Sequence, residues 1–380
     1  MARLEDICSI NMGQSPESSS YNENGEGMPF FQGNADFGEL HPKVRIWCNA
    51  PTKIAECGDI LISVRAPIGA LNIADKQCCI GRGLAALTVN ETLCSPKYLW
   101  YGLECKVDEL NSKGTGSTFK AINKKTLAET EIPLPPLEEQ RRIAALLNKV
   151  SDLIAKRRAQ LDKLDLLVKA RFVEMFGDPV INSCQFPVQP MTDICDIIDG
   201  DRGKNYPKSE EILDDGYCLF LNAKNVTQKG FDFENCNFIT REKDDALRNG
   251  KLSRGDVVLT TRGTVGNLAY YSKNVPYENI RINSGMVILR MNRSILNEIY
   301  FIELFKMKLS DIKEKIASGS AQPQLPISTM NKIILMIPPL ELQNQFASFV
   351  QEIDKSRSRI QKSLEASQEL FDSLMQEYFG

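Results

Sequence analysis

Between residues 143 and 175 the apolar positions alternate in steps of three and four: Ile143, Leu147, Val150, Ile154, Leu161, Leu164, Val168 and Met175, with Arg157 and Arg171 interrupting. A shift of 203 residues, without a gap, reproduces the pattern as Phe346, Val350, Ile353, Ile360, Leu364, Phe371, Leu374 and Tyr378, with Arg357 and Ser367 interrupting. In each copy eight of the ten seam positions are apolar, which predicts a coiled-coil face on a long helix. The ends match as well. Each copy opens on Pro-Pro-Leu-Glu-x-Gln, at Pro135–Gln140 and Pro338–Gln343, and closes on Phe-Gly, at 176–177 and 379–380. Proline suits a helix start because the N–H it lacks is unpaired there anyway, and glycine suits a stop. No Gly or Pro falls between Leu137 and Phe176. At ~1.5 Å per residue each helix should be on the order of 60 Å long. Two such stripes bury each other most simply as an antiparallel pair.

The stretches between these helices read as mixed α+β and also repeat. In residues 1–134, Asp6-Ile7-Cys8-Ser9-Ile10 reads as a short strand or turn, followed by Gly13-Gln14-Ser15-Pro16 and a polar loop over 18–27. Gly58-Asp59 precedes Ile60–Val64, a β-branched run fit for a buried strand, and Arg65-Ala66-Pro67-Ile68-Gly69 forms the turn after it. Leu71–Ile73 is a partner strand, Ile80-Gly81-Arg82-Gly83-Leu84 feeds another through Val89, and Pro96–Leu110 has helical spacing. In residues 178–337, Asp193-Ile194-Cys195 answers Asp6–Cys8, Gly255–Gly266 answers Gly58–Gly69, and Ile282–Met286 answers Ile80–Leu84. Tyr300–Ile316 answers the helix from Tyr98, and Ser318–Ser320 answers Thr115–Ser117. The expected division is therefore 1–134, first globular domain; 135–177, central helix; 178–337, second globular domain; and 338–380, C-terminal helix. The scaffold is kept while the loop chemistry diverges, which suggests one task performed on two different targets.

Composition is that of an ordinary soluble protein, with 42% hydrophobic and 25% charged residues. No apolar run approaches the ~20 residues of a membrane span, and the first residues do not read as a signal peptide. Eleven cysteines without CxxC spacing read as reduced, mostly buried thiols, hence a cytoplasmic protein. The single histidine, His41, followed by Pro42, makes a His-based metal or catalytic site improbable. Net charge is −3, and Lys+Arg against Asp+Glu runs 13 to 16, 9 to 6, 20 to 20 and 4 to 7 over the four segments. Neither globular segment is basic overall, so a nucleic-acid face must be a local patch.

The sequence contains no P-loop, GxGxxG, HExxH or GxSxG pattern and no metal-spaced Cys/His cluster. Binding chemistry is better represented. Gly200-Asp201-Arg202-Gly203-Lys204-Asn205-Tyr206-Pro207 gathers two cations, an amide and an aromatic in one loop. Arginine offers a fork to guanine, Asn or Gln to adenine, and lysine a charge to phosphate. Arg65 and Arg262, at matching strand ends, suit either base or phosphate contact or a structural salt bridge. The small-residue loops 114–120 and 318–322 could let backbone N–H groups approach phosphate. The candidate DNA-facing set is Gln14, Ser15, Arg65, Arg82, Ser117 and Lys120 in the first half. In the second it is Arg202, Lys204, Asn205, Arg262, Asn283, Ser284, Ser320 and Gln322.

With its two Pro-Pro-Leu-Glu-x-Gln openings, Phe-Gly endings, Asp-Ile-Cys and Gly-Asp elements and the Asp199–Pro207 loop, the chain resembles the specificity subunits of type I restriction-modification systems. The resemblance covers essentially all of it. It implies two target recognition domains, separated by an antiparallel helical pair and related by a pseudo-twofold, each reading one half of a split double-stranded DNA target. It further implies a non-catalytic chain that binds no cofactor and docks two modification subunits, which bring S-adenosylmethionine, and through them restriction subunits. One departure is that little precedes the Asp-Ile-Cys element, which leaves the packing of the N-terminus open. A fused methyltransferase would need an (N/D/S)PP(Y/F) loop, which does not occur. The Arg/Lys/Asn loops speak against a scaffold that binds no DNA.

Overall fold

Both seams fold into single 40-residue α-helices, Leu137–Phe176 and Leu340–Phe379, in the computed structural model, which describes residues 1–116, 120–317 and 324–380. The starts are alike: the carbonyl of Pro136 or Pro339 accepts the N–H of Gln140 or Gln343. Where the central helix ends, Gly177 turns left-handed at φ +73°, a conformation that costs glycine no Cβ clash. Five seam positions of the central helix are buried, and Ala144, Phe172 and Phe176 beside the seam are buried with them. Ile143, Leu147, Val150, Ile154 and Val168 are buried, whereas Glu138, Lys149, Lys156 and Lys169 are exposed.

Packing groups the chain into two units, residues 1–159 with 361–380 and residues 160–360. The four segments read from the sequence give the order along the chain, while packing divides each long helix between both units. In the first unit Ile143, Ala144 and Leu147 share a core with Met375 and Phe379. In the second, the rings of Phe172 and Phe346 meet edge-on at 5.4 Å, Arg171 lies 5.9 Å over Phe349, and Arg357 pairs with Asp165. In the second unit falling numbers on one helix, 172, 171 and 165, meet rising numbers on the other, 346, 349 and 357, the antiparallel pairing that the two stripes predict.

The globular part of the first unit is built on an antiparallel sheet in the order Cys8–Met12, Leu84–Val89, Ile60–Ser63 and Leu71–Ile73. The second unit repeats it with Cys195–Asp199, Met286–Met291, Val257–Thr260 and Leu268–Tyr270. The Gly-Asp pairs acquire a reason here. Gly58 and Gly255 sit at φ +92° and +99°, and the carboxylates of Asp59 and Asp256 accept the N–H groups of Glu56 and Ser253, closing the turn before the central strand. Beyond that strand, a hydroxyl from Ser63 or Thr260 accepts the N–H of Ala70 or Asn267 across the next turn.

A second sheet adjoins the first in each unit. It has five strands in the first, including the parallel pair Met28–Phe31 and Cys78–Ile80, and three in the second, including the parallel pair Cys218–Leu221 and Ile280–Ile282. Ile80 and Leu84 thus belong to different sheets, and Gly81–Gly83 is the crossing between them. The Asp-Ile-Cys element is one helical turn, Leu4–Ile7 or Met191–Ile194, leading into a strand at the cysteine. Each of those thiols donates to the carbonyl four residues back, at 3.0 Å for Cys8 and 3.4 Å for Cys195. The N-terminus is packed, with Ala2–Arg3 paired to Glu131–Ile132. The helix expected over 96–110 is broken at Lys106 into Pro96–Cys105 and Val107–Lys113, while its counterpart Glu298–Ala317 is continuous.

Candidate nucleic-acid interface

In the first unit the sheet crossing gathers the predicted residues. Gly13 donates to the carbonyl of Leu84 at 2.9 Å and Gln14 to that of Ile80 at 3.0 Å, while the Ser15 hydroxyl accepts the N–H of Arg82 at 3.2 Å. A Cβ at residue 13 would lie 2.2 Å from the Gly81 oxygen, so only glycine allows this approach. Arg65 follows Val64, whose N–H is bound by Gly83, and Ala66 donates to the Lys120 carbonyl at 3.0 Å. Gln14, Ser15, Arg65, Arg82 and Lys120 therefore lie around one turn. Ser117 lies outside the described residues, as do Ser320 and Gln322.

Arg65 and Arg82 are exposed and line an open cavity of about 330 Å³ together with Arg45, Gln32 and Asn34. Among the described residues neither Arg65 nor Arg82 has an ion-pair partner. Arg45 was not singled out by the sequence, because residues 32–55 have no clear counterpart in the second half and repeat logic passes over them.

In the second unit the same crossing carries different chemistry. Gly200 stands where Gly13 does, and its Cβ would lie 2.4 Å from the Asn283 oxygen. The buried Asp201 accepts N–H groups from Gly203 and Arg248, both at 2.8 Å, and so ties the 200–205 loop to the 246–250 turn. Those N–H groups hold its carboxyl below the ordinary range. Lys204, Asn205 and Arg248 line an open cavity of about 300 Å³ beside it. Several predicted side chains are engaged locally. Arg202 donates to Asp199 at 3.1 Å and to the Ser284 carbonyl at 3.3 Å; Asn205 donates to Ala246 at 2.9 Å; and Asn283 accepts the N–H of Gly285 at 2.9 Å. Arg262 is exposed at its strand end, as Arg65 is, and Lys204 is exposed on the loop. These two are the outward cations of the predicted second set.

All eleven cysteines are free, burial pushes the thiols of Cys8 and Cys195 up to about 12, and no cluster of His, Cys, Asp and Glu fit for a metal ion occurs among the described residues. No helix among them is long and apolar enough to cross a membrane.

Comparison with known proteins agrees with this architecture. The chain is 47% identical over 156 residues to a putative type I restriction enzyme MjaX specificity subunit of Methanocaldococcus jannaschii, a match covering 41% of this chain and 37% of that one. It is 28% identical over 338 residues to the MjaIX specificity subunit of the same organism, covering 84% of this chain and 76% of the relative. The fold matches the crystal structure of the type I restriction-modification S subunit from M. genitalium with a TM-score of 0.61 at 18% identity, over 100% of this chain and 95% of that one. The profile of the type I restriction modification DNA specificity domain matches twice, over residues 1–164 and 186–368, each match holding one sheet crossing and its turn of candidate residues. The two matches span most of the chain, which belongs to the type I restriction modification DNA specificity family.

Proposed function

We infer that this chain is the DNA-reading specificity subunit of a type I restriction-modification assembly, working in the cytoplasm, and that each unit reads one half of a split duplex target. The observation that supports this most is one sheet crossing built twice with different side chains, Arg65 with Arg82 in the first unit and Arg262 with Ser284 in the second. The chain performs no chemistry. It docks two modification subunits that carry S-adenosylmethionine and methylate adenine, and through them the restriction subunits. Methylation mapping of DNA from cells carrying the complete system tests the reading: a bipartite methylated sequence supports it, and methylation without sequence preference overturns it.

The outward cations divide by role. Replacing Lys204 by alanine in the assembled complex should weaken binding to all duplexes alike and reduce the salt slope by about one, as expected for a phosphate contact. Replacing Arg262 should relax one position of the second half-site, at roughly 1–3 kcal/mol. Binding isotherms over a salt series separate the two, and unchanged affinity in both variants would remove these residues from the interface.

The long helices set the spacer between half-sites. Four residues inserted after Gln160 add ~6 Å of helix, close to two base pairs at ~3.4 Å each. A stably folded insertion variant should prefer a longer spacer with both half-sites unchanged, measured as methylation across a library of spacer lengths. Retention of the original spacer would show that the helices are not the ruler.

A further inference from the structure

We propose that Arg45 reads a guanine in the first half-site and is held for that task by the buried carboxylate of Asp36, an assignment that rests on the DNA-reading function inferred above. Asp36 is 7% exposed at the end of the short turn Asn34–Asp36, which follows the strand Met28–Phe31. Its two oxygens divide their partners. Oδ2 accepts the N–H groups of Gln32 at 2.8 Å and Gly33 at 3.4 Å, which fixes the turn. Oδ1 accepts from Arg45, both from Nε at 3.1 Å and from Nη2. The carboxylate therefore takes the inner edge of the guanidinium, formed by Nε and one terminal nitrogen. The outer edge, formed by the two terminal nitrogens, makes no further hydrogen bond among the described residues, and 60% of the side chain is exposed.

That outer edge is the one a guanine recognises. Two parallel N–H groups meet O6 and N7 in the major groove, and no other base presents that pair of acceptors there. An arginine free in solvent must order several torsions to make such a contact, whereas one clamped along its inner edge has already lost them. Asp36 thus supplies preorganisation as well as charge balance. Arg45 opens onto the same cavity as Arg65 and Arg82, so the clamped fork lies beside two exposed cations that have no ion-pair partner among the described residues and suit the flanking backbone.

The second unit separates this device from the scaffold. There the turn Ala223–Asn225 follows the strand Cys218–Leu221, and the residue in the place of Asp36 is Asn225, 1% exposed. Asn225 fixes its own turn by accepting the N–H of Asn222 at 3.0 Å, and it spends its amide on the carbonyls of Asp232 at 3.0 Å and Asn235 at 2.9 Å. A neutral amide therefore suffices for the turn. The charge at Asp36 and its arginine are an addition particular to the first reader.

The test uses the complete complex with its modification subunits and measures binding to duplexes that differ by one base pair at each position of both half-sites. The wild-type complex should lose roughly tenfold or more when one G·C pair of the first half-site is changed. Arg45→Ala should abolish that preference and leave the second half-site intact, which also shows that the variant complex is folded. Arg45→Lys should behave as Arg45→Ala, because lysine keeps the charge and loses the fork. Asp36→Asn should shrink the preference with Arg45 still present. Two outcomes overturn the assignment: equal weakening on every duplex with recovery in Arg45→Lys, which marks a phosphate contact, or wild-type discrimination in Arg45→Ala. Absence of base preference at either half-site in the wild-type complex would instead overturn the DNA-reading function itself.

Discussion

Replacing Asp244 with alanine should destabilise the second unit by roughly 3–5 kcal/mol, the cost typical of removing one partner from a buried ion pair. Asp244 is fully buried on the short helix Arg241–Ala246, where its carboxylate accepts from Arg281 Nε and from Lys251 Nζ. Arg281 is 5% exposed in the strand Ile280–Ile282 and spends its remaining donors on the carbonyls of Asn249, Asp244 and Leu247, at 2.8, 2.7 and 3.0 Å. Without the carboxylate a guanidinium stays inside the fold with dipoles around it and no counter-charge. Burial pushes the Asp244 carboxyl up, but the hydrogen bonds from Lys251 and Arg281 outweigh it and hold the group below its usual range. A carboxyl depressed in the folded state contributes stability above the unfolded value near ~4 and loses it as pH falls through the folded value. The wild-type second unit should therefore weaken as pH drops below about 4, and Asp244→Ala should remove part of that dependence. Urea unfolding followed by circular dichroism at several pH values measures both effects. A paired replacement, Asp244→Leu with Arg281→Met, should recover only part of the loss, since it removes the unpaired charge but leaves the carbonyls of Asn249 and Leu247 without the donors of Arg281. An unchanged midpoint in Asp244→Ala would show that Arg281 finds compensation elsewhere.

The glutamine that closes each Pro-Pro-Leu-Glu-x-Gln opening should be nearly as costly to replace. Gln140 is 1% exposed and makes three hydrogen bonds: Nε2 donates to Leu93 at 3.0 Å and Pro135 at 2.8 Å, and Oε1 accepts the N–H of Ser95 at 2.9 Å. Gln343 repeats the set, with Ile295 at 3.0 Å, Pro338 at 2.8 Å and Asn297 at 2.9 Å. In both units the side chain ties the start of a long helix to the residue before another helix. Leucine of similar size would leave those backbone groups buried without partners, and each variant should lose about 3 kcal/mol. The two tryptophans, Trp47 and Trp100, both belong to the first unit, so their fluorescence reports on that unit alone. Gln140→Leu should lower the fluorescence-detected midpoint. Gln343→Leu should leave it in place and lower an earlier phase seen by circular dichroism. Equal shifts of both signals in both variants would mean that the units do not unfold separately.

The helices and the doubled plan were legible because their signals are local. A stripe with steps of three and four, a Pro-Pro start and a Gly stop need no knowledge of distant contacts, and the structure places them where the pattern does. The Gly-Asp and Asp-Ile-Cys elements were visible as repeats but not as mechanisms, since a left-handed glycine and a thiol bonded four residues back emerge only with backbone angles. The site was less legible. Arg65, Arg82 and Arg262 stand out because they sit on repeated scaffold. Arg202, Asn205 and Asn283 have the right chemistry but are held by Asp199, Ala246 and Gly285, partners that the sequence does not pair with them. Arg45 and Asp36 were passed over because the sequence of residues 32–55 does not visibly repeat in the second half, although the turn that carries Asp36 has a structural counterpart at Ala223–Asn225.

The two units are also unequal in how the chain threads them. The second is one continuous stretch, 160–360, whereas the first recruits 361–380 to finish a core that begins at Leu4. On the ribosome the order of completion is thus reversed: the half translated first must wait, its seat for Phe379 beside Tyr98 unfilled at a ring separation destined to be 4.8 Å, until residues 361–380 have been added. At ~5–20 residues per second that delay is on the order of ten seconds or more, a window in which chaperones, or a partner helix from elsewhere, have access to the nascent first half. A premature stop near residue 360 would accordingly injure the half farthest from it in the message.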